Sequence, residues 1–223
     1  MELKPLRSDY RKNEGYYIII IPGHLEILTT NEWGARTPVR ALEKRAERFK
    51  GGIFHHTAGA NHAQSPMQAS QKRNAIALAQ SIQSSHIDVN KWSDSGHSFL
   101  NSVDGVICEG RTGTLKALMS GTLIVQAHCA DDTHWFNDWI GVENEGTFIT
   151  AHMNDTQMLS LIKLLAWTSI VADYDTSVIQ GHRAALPGAT CCPGDWLFAQ
   201  TANIRKAVHD KKLEFIKLGV KKS

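Results

Sequence analysis

The sequence predicts an α/β fold, a mixed central β-sheet flanked by helices in a single domain. Three observations carry this expectation. Strand-like and helix-like stretches alternate along the chain instead of segregating into halves. At 223 residues, with 42% hydrophobic and 21% charged residues, the chain can bury one sizeable core and has an ordinary globular composition. No internal repeat or low-complexity tract interrupts it.

The first element is the β-branched run Ile18 to Ile21, which reads as a buried strand. A basic stretch, RSDYRKNEG, precedes it, but the apolar run is barely long enough for a secretory core and no small-x-small cleavage pattern follows. No segment approaches the length of a membrane span. Pro22-Gly23 breaks the chain, and LEILTT follows as a second short strand or turn. In TPVRALEKRAERFK, Pro38 stands near a start, and Val39, Leu42 and Ala46 recur at helical spacing among charges; the pattern predicts a short amphipathic helix. GGIFHHT reads as a strand entered from a glycine pair and ending in histidines. From Pro66 to about His86 the chain lacks glycine and internal proline and reads as a helix. In GHSFLNSVDGVICEGR, Asp104-Gly105 separates two alternating runs, a hairpin signature.

TLIVQAH and DWIGVENEGTF predict two more strands. NDTQMLSLIKLLAWTSIVADY predicts a helix with Asn154 or Asp155 as its N-cap. SVIQGH predicts another strand. The last helix is expected to open at Pro193-Gly194-Asp195, with proline in the first turn and Asp195 at the positive end of the dipole, and to run through WLFAQTANIRKAVHD. The basic end KLGVKKS reads as a frayed, solvated tail. These boundaries give a domain over residues 30–212, an N-terminal extension at 1–29 packed on it, and a tail at 213–223.

A formal net charge of +2 provides no strong field for nucleic acid or membrane, so no nucleic-acid partner is expected. Cys108, Cys129, Cys191 and Cys192 are too few for a disulfide scaffold, and the vicinal pair would bridge only under strain. Thiols are expected. The chemistry concentrates elsewhere. IFHHT and IQGH put His55 and His56 at the end of one strand and His182 at the end of another. If those strands are neighbours, each can send one imidazole to the same edge, and strand alternation lets only one of His55 and His56 face it. Cys192 follows on a turn rich in proline and glycine that can swing it back towards His182. Two imidazoles and a thiolate form a three-ligand tetrahedral set with one open position, the catalytic rather than the structural zinc pattern. The competing reading is three unrelated buried polar residues, and Cys191 is the lesser candidate for the sulfur ligand.

Several segments now combine. NEWGAR, IFHHTAG, WSDSGHSF with DGVICEGR, AHC, IGVENEGTF, GHR and TCCPGD follow one another between residues 31 and 195. In this order they resemble the peptidoglycan recognition protein and zinc-dependent N-acetylmuramoyl-L-alanine amidase family, which includes amidase-type phage lysozymes. The resemblance implies that His55, His182 and Cys192 hold zinc, with His56 facing away from the ion. It also implies a peptidoglycan or muropeptide substrate, contacted by His56, Trp92 and Asn137. The scissile bond would be the amide between the lactyl group of N-acetylmuramic acid and L-alanine of the stem peptide. Members that only bind peptidoglycan typically lack the cysteine; its presence favours hydrolysis over recognition alone, the alternative function. A metal-free thiol hydrolase using Cys192 and His182 is a third reading.

Catalytic roles follow the same likeness. Glu143 matches the glutamate that serves as base in some members, with Glu145, placed on the same face by alternation, as the lesser candidate. His97 stands where some amidases have a tyrosine, and Thr190 where phage-type enzymes have a lysine. His97 can donate to the carbonyl or titrate near neutrality, whereas Thr190 can supply only a neutral hydrogen bond. His128 is expected to be structural or to orient another group, and Trp33 and Arg36 to pack and pin the N-terminal segment. His134, Trp135 and Phe136 either line a glycan groove or form a satellite cluster. With no clear signal peptide, the expected location is the cytoplasm, or the cell wall reached by lysis or a non-classical route.

Overall fold

Parallel strands need crossovers and antiparallel ones need only turns, and the chain uses both to assemble a sheet of eight strands. The structure is a computed structural model that describes residues 25–130 and 135–223, together with the backbone of strands at 11–13 and 16–21. Strands β1 (Arg11–Asn13) and β2 (Tyr16–Ile21) form an antiparallel pair, and β3 (Leu25–Leu28) lies antiparallel to β2. A short strand β4 (Lys44–Arg45) precedes β5 (Gly52–His56). Helix α1 (Gln68–Ser84) runs directly into a π-helical turn, Ser85–Val89. Strands β6 (Phe99–Asn101) and β7 (Ile107–Glu109) make the hairpin predicted around Asp104-Gly105.

Helix α2 (Thr114–Met119) and strand β8 (Leu123–Ile124) follow, then a 3₁₀ turn at Trp135–Asp138, β9 (Ile140–Asn144) and helix α3 (Asp155–Val171). A second 3₁₀ turn, Thr176–Val178, leads into β10 (Gln180–Gly181) and the short helices α4 (His182–Ala185) and α5 (Asp195–Ala199). Helix α6 (Thr201–Lys217) ends the series. The sheet order is β1-β2-β3-β7-β6-β9-β5-β10, and β4 and β8 form a separate antiparallel pair. Parallel pairings β3/β7, β6/β9, β9/β5 and β5/β10 beside the antiparallel ones make the main sheet mixed. Among the described residues no helix is long and apolar enough to cross a membrane.

Alternation sorts the side chains onto two faces. Phe54, Phe99 and Val142 share one face, where they pack with Leu161, Leu164 and Leu165 of α3 and with Ile204, Val208 and Phe215 of α6. Each such buried side chain contributes roughly 1.5–3 kcal/mol. Helix α3 lies between sheet and α6, which explains why its sequence is apolar on nearly every side. Asn154 caps it, its Oδ1 accepting the Gln157 N–H at 2.9 Å. On the opposite face Leu28, Leu100 and Cys108 meet Ala75 and Ala79 of α1 and the buried Trp33.

Four local expectations are corrected. TPVRALEKRAERFK is not a helix: Val39 N–H donates to Ser93 O, β4 pairs with β8, and Val39 remains 54% exposed. A short segment of modest propensity gains more from these tertiary partners than from one or two helical turns. TLIVQAH and SVIQGH contribute only two strand residues each, and His182 opens α4 rather than ending a strand. The last helix breaks at Gln200 into α5 and α6. It also continues to Lys217, burying Phe215 completely, and the Ser223 hydroxyl donates to Val171 O, so the basic end is docked rather than frayed.

Candidate metal centre

Register decides which groups meet. His55 pairs with Glu143 across β5 and β9, so both project from the same face, and Gly181 pairs with Phe54, bringing His182 beside His55. The His55 and His182 rings lie 4.4 Å apart between centroids, and Cys192 Sγ is 3.7 Å from His55 Nδ1. One donor atom from each of His55, His182 and Cys192 falls within 4.8 Å of the others. His56 points to the other face, where its Nδ1 accepts the Phe148 N–H at 3.4 Å. Cys191 is exposed, so Cys192 is the member of the vicinal pair turned inward, and no disulfide joins the cysteines.

The cysteine turn is held to α4. Arg183 N–H donates to Cys192 O and its guanidinium to Cys191 O, both at 2.8 Å, while Thr190 Oγ1 accepts the Cys192 N–H at 3.1 Å. Gly194 closes the turn at φ +91°, and a Cβ there would lie 2.4 Å from the Phe148 backbone. Only glycine allows both the conformation and the approach. Thr190 thus supports the Cys192 turn from behind.

Beside the trio stands a second set, His86, His97 and Glu143, also within 4.8 Å of one another. His97 Nδ1 and Glu143 Oε2 are 2.9 Å apart, an ion-pair distance, yet off the alignment of a hydrogen bond; neither atom has another protein partner. His97 lies 4.5 Å from the His55 ring centroid. Burial by itself raises the Glu143 pKa, but the imidazoles of His97, His86 and His56 outweigh it and hold the carboxyl below its ordinary value. Desolvation, reinforced by neighbouring imidazoles, pushes His55 and His128 well below the usual histidine range and His182 to about 4. Desolvation also pushes the Cys192 thiol up to about 12.

These properties fit a zinc site. The two imidazoles are neutral, with lone pairs available, and His182 Nε2 is buried without a protein partner. A thiol beside them completes a soft, mixed N/S donor set of the zinc type. The sulfur gives up its proton on metal binding.

Other expected contacts land differently. Trp92 is half-buried and stacks on His86, ring centroids 4.6 Å apart. Asn137, expected to touch substrate, is 5% exposed and consumed internally: its Oδ1 accepts from the N–H groups of His128 and Cys129, and its Nδ2 donates to Cys129 O. Glu145 lies beyond the end of β9, where its carboxylate meets His62 and the Val103 N–H instead of the trio. Trp33 and Arg36 pin the N-terminal segment as expected, the indole donating to Glu109 O and Arg36 pairing with Asp88. Phe136 packs on Trp139 and Trp135 sits under Lys50, a satellite cluster; His134 lies outside the described residues. Two nearby groups carried no individual sequence signal: His86, in the π turn after α1, and Cys129, buried beside His128.

The family model described as N-acetylmuramoyl-L-alanine amidase matches residues 45–195, well over half of the chain. Peptidoglycan-recognition protein SC1a/b of Drosophila simulans is 28% identical over 170 residues, 75% of this chain and 80% of that protein. Against peptidoglycan-recognition protein SD of the same species, at 26% identity, the chain spans about half the relative's length, 54%. Among solved structures, the complex of tracheal cytotoxin with the ectodomains of peptidoglycan recognition proteins LCa and LCx matches with a TM-score of 0.62 and 28% identity, over 78% of this chain and 92% of that one. The N-acetylmuramoyl-L-alanine amidase LysC of Clostridium intestinale shares the fold with a TM-score of 0.61 at 22% identity, over 83% of this chain and 98% of that one.

Proposed function

Because the chain belongs to the N-acetylmuramoyl-L-alanine amidase family, we propose that it hydrolyses the amide between N-acetylmuramic acid and L-alanine in peptidoglycan or muropeptides, with zinc as cofactor. The observation that supports this reading is the convergence of His55, His182 and Cys192 beside an ionised Glu143. Zinc held by the trio supplies a Lewis acid for the scissile carbonyl and a water of lowered pKa. The protein's own groups do the rest. Glu143 Oε2, with no aligned hydrogen bond of its own, accepts the proton of the attacking water and returns it to the leaving amine. The His97 ring, with Nδ1 turned to that carboxylate, helps to keep it ionised. Thr190 holds the Cys192 turn, and its hydroxyl hydrogen remains a neutral donor towards substrate.

Retention of Cys192 favours hydrolysis over recognition alone. The thiol-hydrolase reading is disfavoured, since a nucleophilic cysteine needs a thiolate and burial pushes this thiol up to about 12. The muropeptide class is supported by the relative whose solved complex holds tracheal cytotoxin. The test is mass analysis of digested muropeptides together with zinc content of wild type and Cys192→Ser. Wild type should bind zinc and release free stem peptide, and a chelator, with rebinding controlled, should abolish release. Muropeptide binding without release, zinc supplied, would replace the hydrolase by a recognition protein.

A further inference from the structure

His128 lies directly behind His55, away from Cys192. His55 Nδ1 faces Cys192 Sγ at 3.7 Å, while its other nitrogen, Nε2, is 3.1 Å from His128 Nδ1. His128 Nε2 in turn is 3.1 Å from the carbonyl oxygen of Trp139. A carbonyl only accepts, so the hydrogen of the neutral His128 ring sits on Nε2 and leaves Nδ1 as a bare acceptor. His55 Nε2 must then be the donor. Its single ring hydrogen is thereby committed, and Nδ1 keeps its lone pair on the side of the sulfur. The Cys129 thiol, 3.4 Å from His128 Nδ1, is a weak donor at best and does not alter this order.

The seat of His128 comes from residues distant in sequence. Asn137 Oδ1 accepts the N–H groups of His128 and Cys129 at 3.0 Å each, and its Nδ2 donates to Cys129 O at 2.7 Å. Gly141 makes room for the ring on β9, where a Cβ would stand 2.4 Å from His128 Cδ2. The ring is thus clamped at its backbone, at its far nitrogen and along its face.

We propose that His128 is a positioning residue: by accepting from His55 Nε2 while anchored to the Trp139 carbonyl, it fixes the tautomer and orientation that present His55 Nδ1 to the metal. The proposal rests on the zinc reading of the trio. Partners that orient a ligating histidine typically change metal affinity by about 10–100-fold when lost. Two substitutions separate the ring's two contacts. His128→Asn retains an acceptor near the Nδ1 position, whereas His128→Gln carries its amide out towards Trp139 and leaves His55 Nε2 without an acceptor.

The readout is zinc affinity by competition with a chromophoric chelator. His128→Gln should bind zinc about 10–100-fold more weakly than wild type, with His128→Asn recovering most of the loss. Equal affinity in wild type and His128→Gln would overturn the proposal while leaving the zinc site standing; so would equal losses in both variants, the mark of a merely structural side chain. Wild type that binds no zinc would remove the metal reading and this proposal with it. Proton–nitrogen correlation NMR of metal-free wild type, which involves no variant, should find His55 as the Nε2–H tautomer. Finding it as Nδ1–H would also overturn the proposal.

Discussion

Acidification of the metal-free protein should unfold it through its buried imidazoles. His86 has its pKa depressed from 6.5 to about 4, first by desolvation and then by the facing His97. His182 is similarly held at about 4. A histidine whose folded pKa is depressed adds stability above its unfolded pKa, and that stability is lost as pH falls towards the folded value, because the unfolded chain takes up the proton first. Between pH 6.5 and about 5, His86 alone then loses about 1.5 kcal/mol, and the less deeply buried His182 about half as much after discounting for solvent screening. His55 and His128, also depressed, add losses of the same sign. Glu109, raised by desolvation, works in the opposite direction, and Glu143, depressed, releases its contribution only below the window. Against a total stability of about 5–15 kcal/mol, the imidazole losses are large. Urea unfolding in chelator at pH 7 and pH 5 measures the effect, and the midpoint should fall steeply at the lower pH. An unchanged or higher midpoint at pH 5 would refute the reasoning, since it would mean that the cluster is not buried neutral.

Three further outcomes are expected. Glu143→Gln should lower kcat by about 10²–10⁴-fold at unchanged zinc content; loss of the metal in this variant would make Glu143 a ligand instead of a base. Asn154→Ala removes the oxygen that accepts the Gln157 N–H and should cost about 1 kcal/mol in urea unfolding. Gly194→Ala combines a positive φ with a Cβ pressed on the Phe148 backbone, and a loss of about 2–4 kcal/mol is expected from thermal unfolding.

Much of the fold was legible because its signals are local. The glycine-flanked GIFHH strand, the Asp104-Gly105 hairpin and the Asn154-capped helix each declare themselves within a dozen residues. The meeting of His55, His182 and Cys192 was legible through residue type and spacing together, although only His55 ends a strand and His182 opens a short helix just after one. The failures share a cause. Lys44 and Arg45 follow partners about 80 positions away in β8, and Glu145 leaves the site because β9 stops one residue short of it. Asn137 offered no hint that the backbone of residues 128–129 would consume its amide.

The amino-acid order by itself determined the alternation of elements, the two faces of each strand and the chemical character of the candidate donor groups, since periodicity and donor type are properties of the chain. Only the folded molecule decided that His86, His97 and Glu143 would stand together and that His128 would back His55. Register between strands and the absence of a side chain at Gly141 set those positions. A hydrogen bond depends on tenths of an ångström between groups that no local pattern relates.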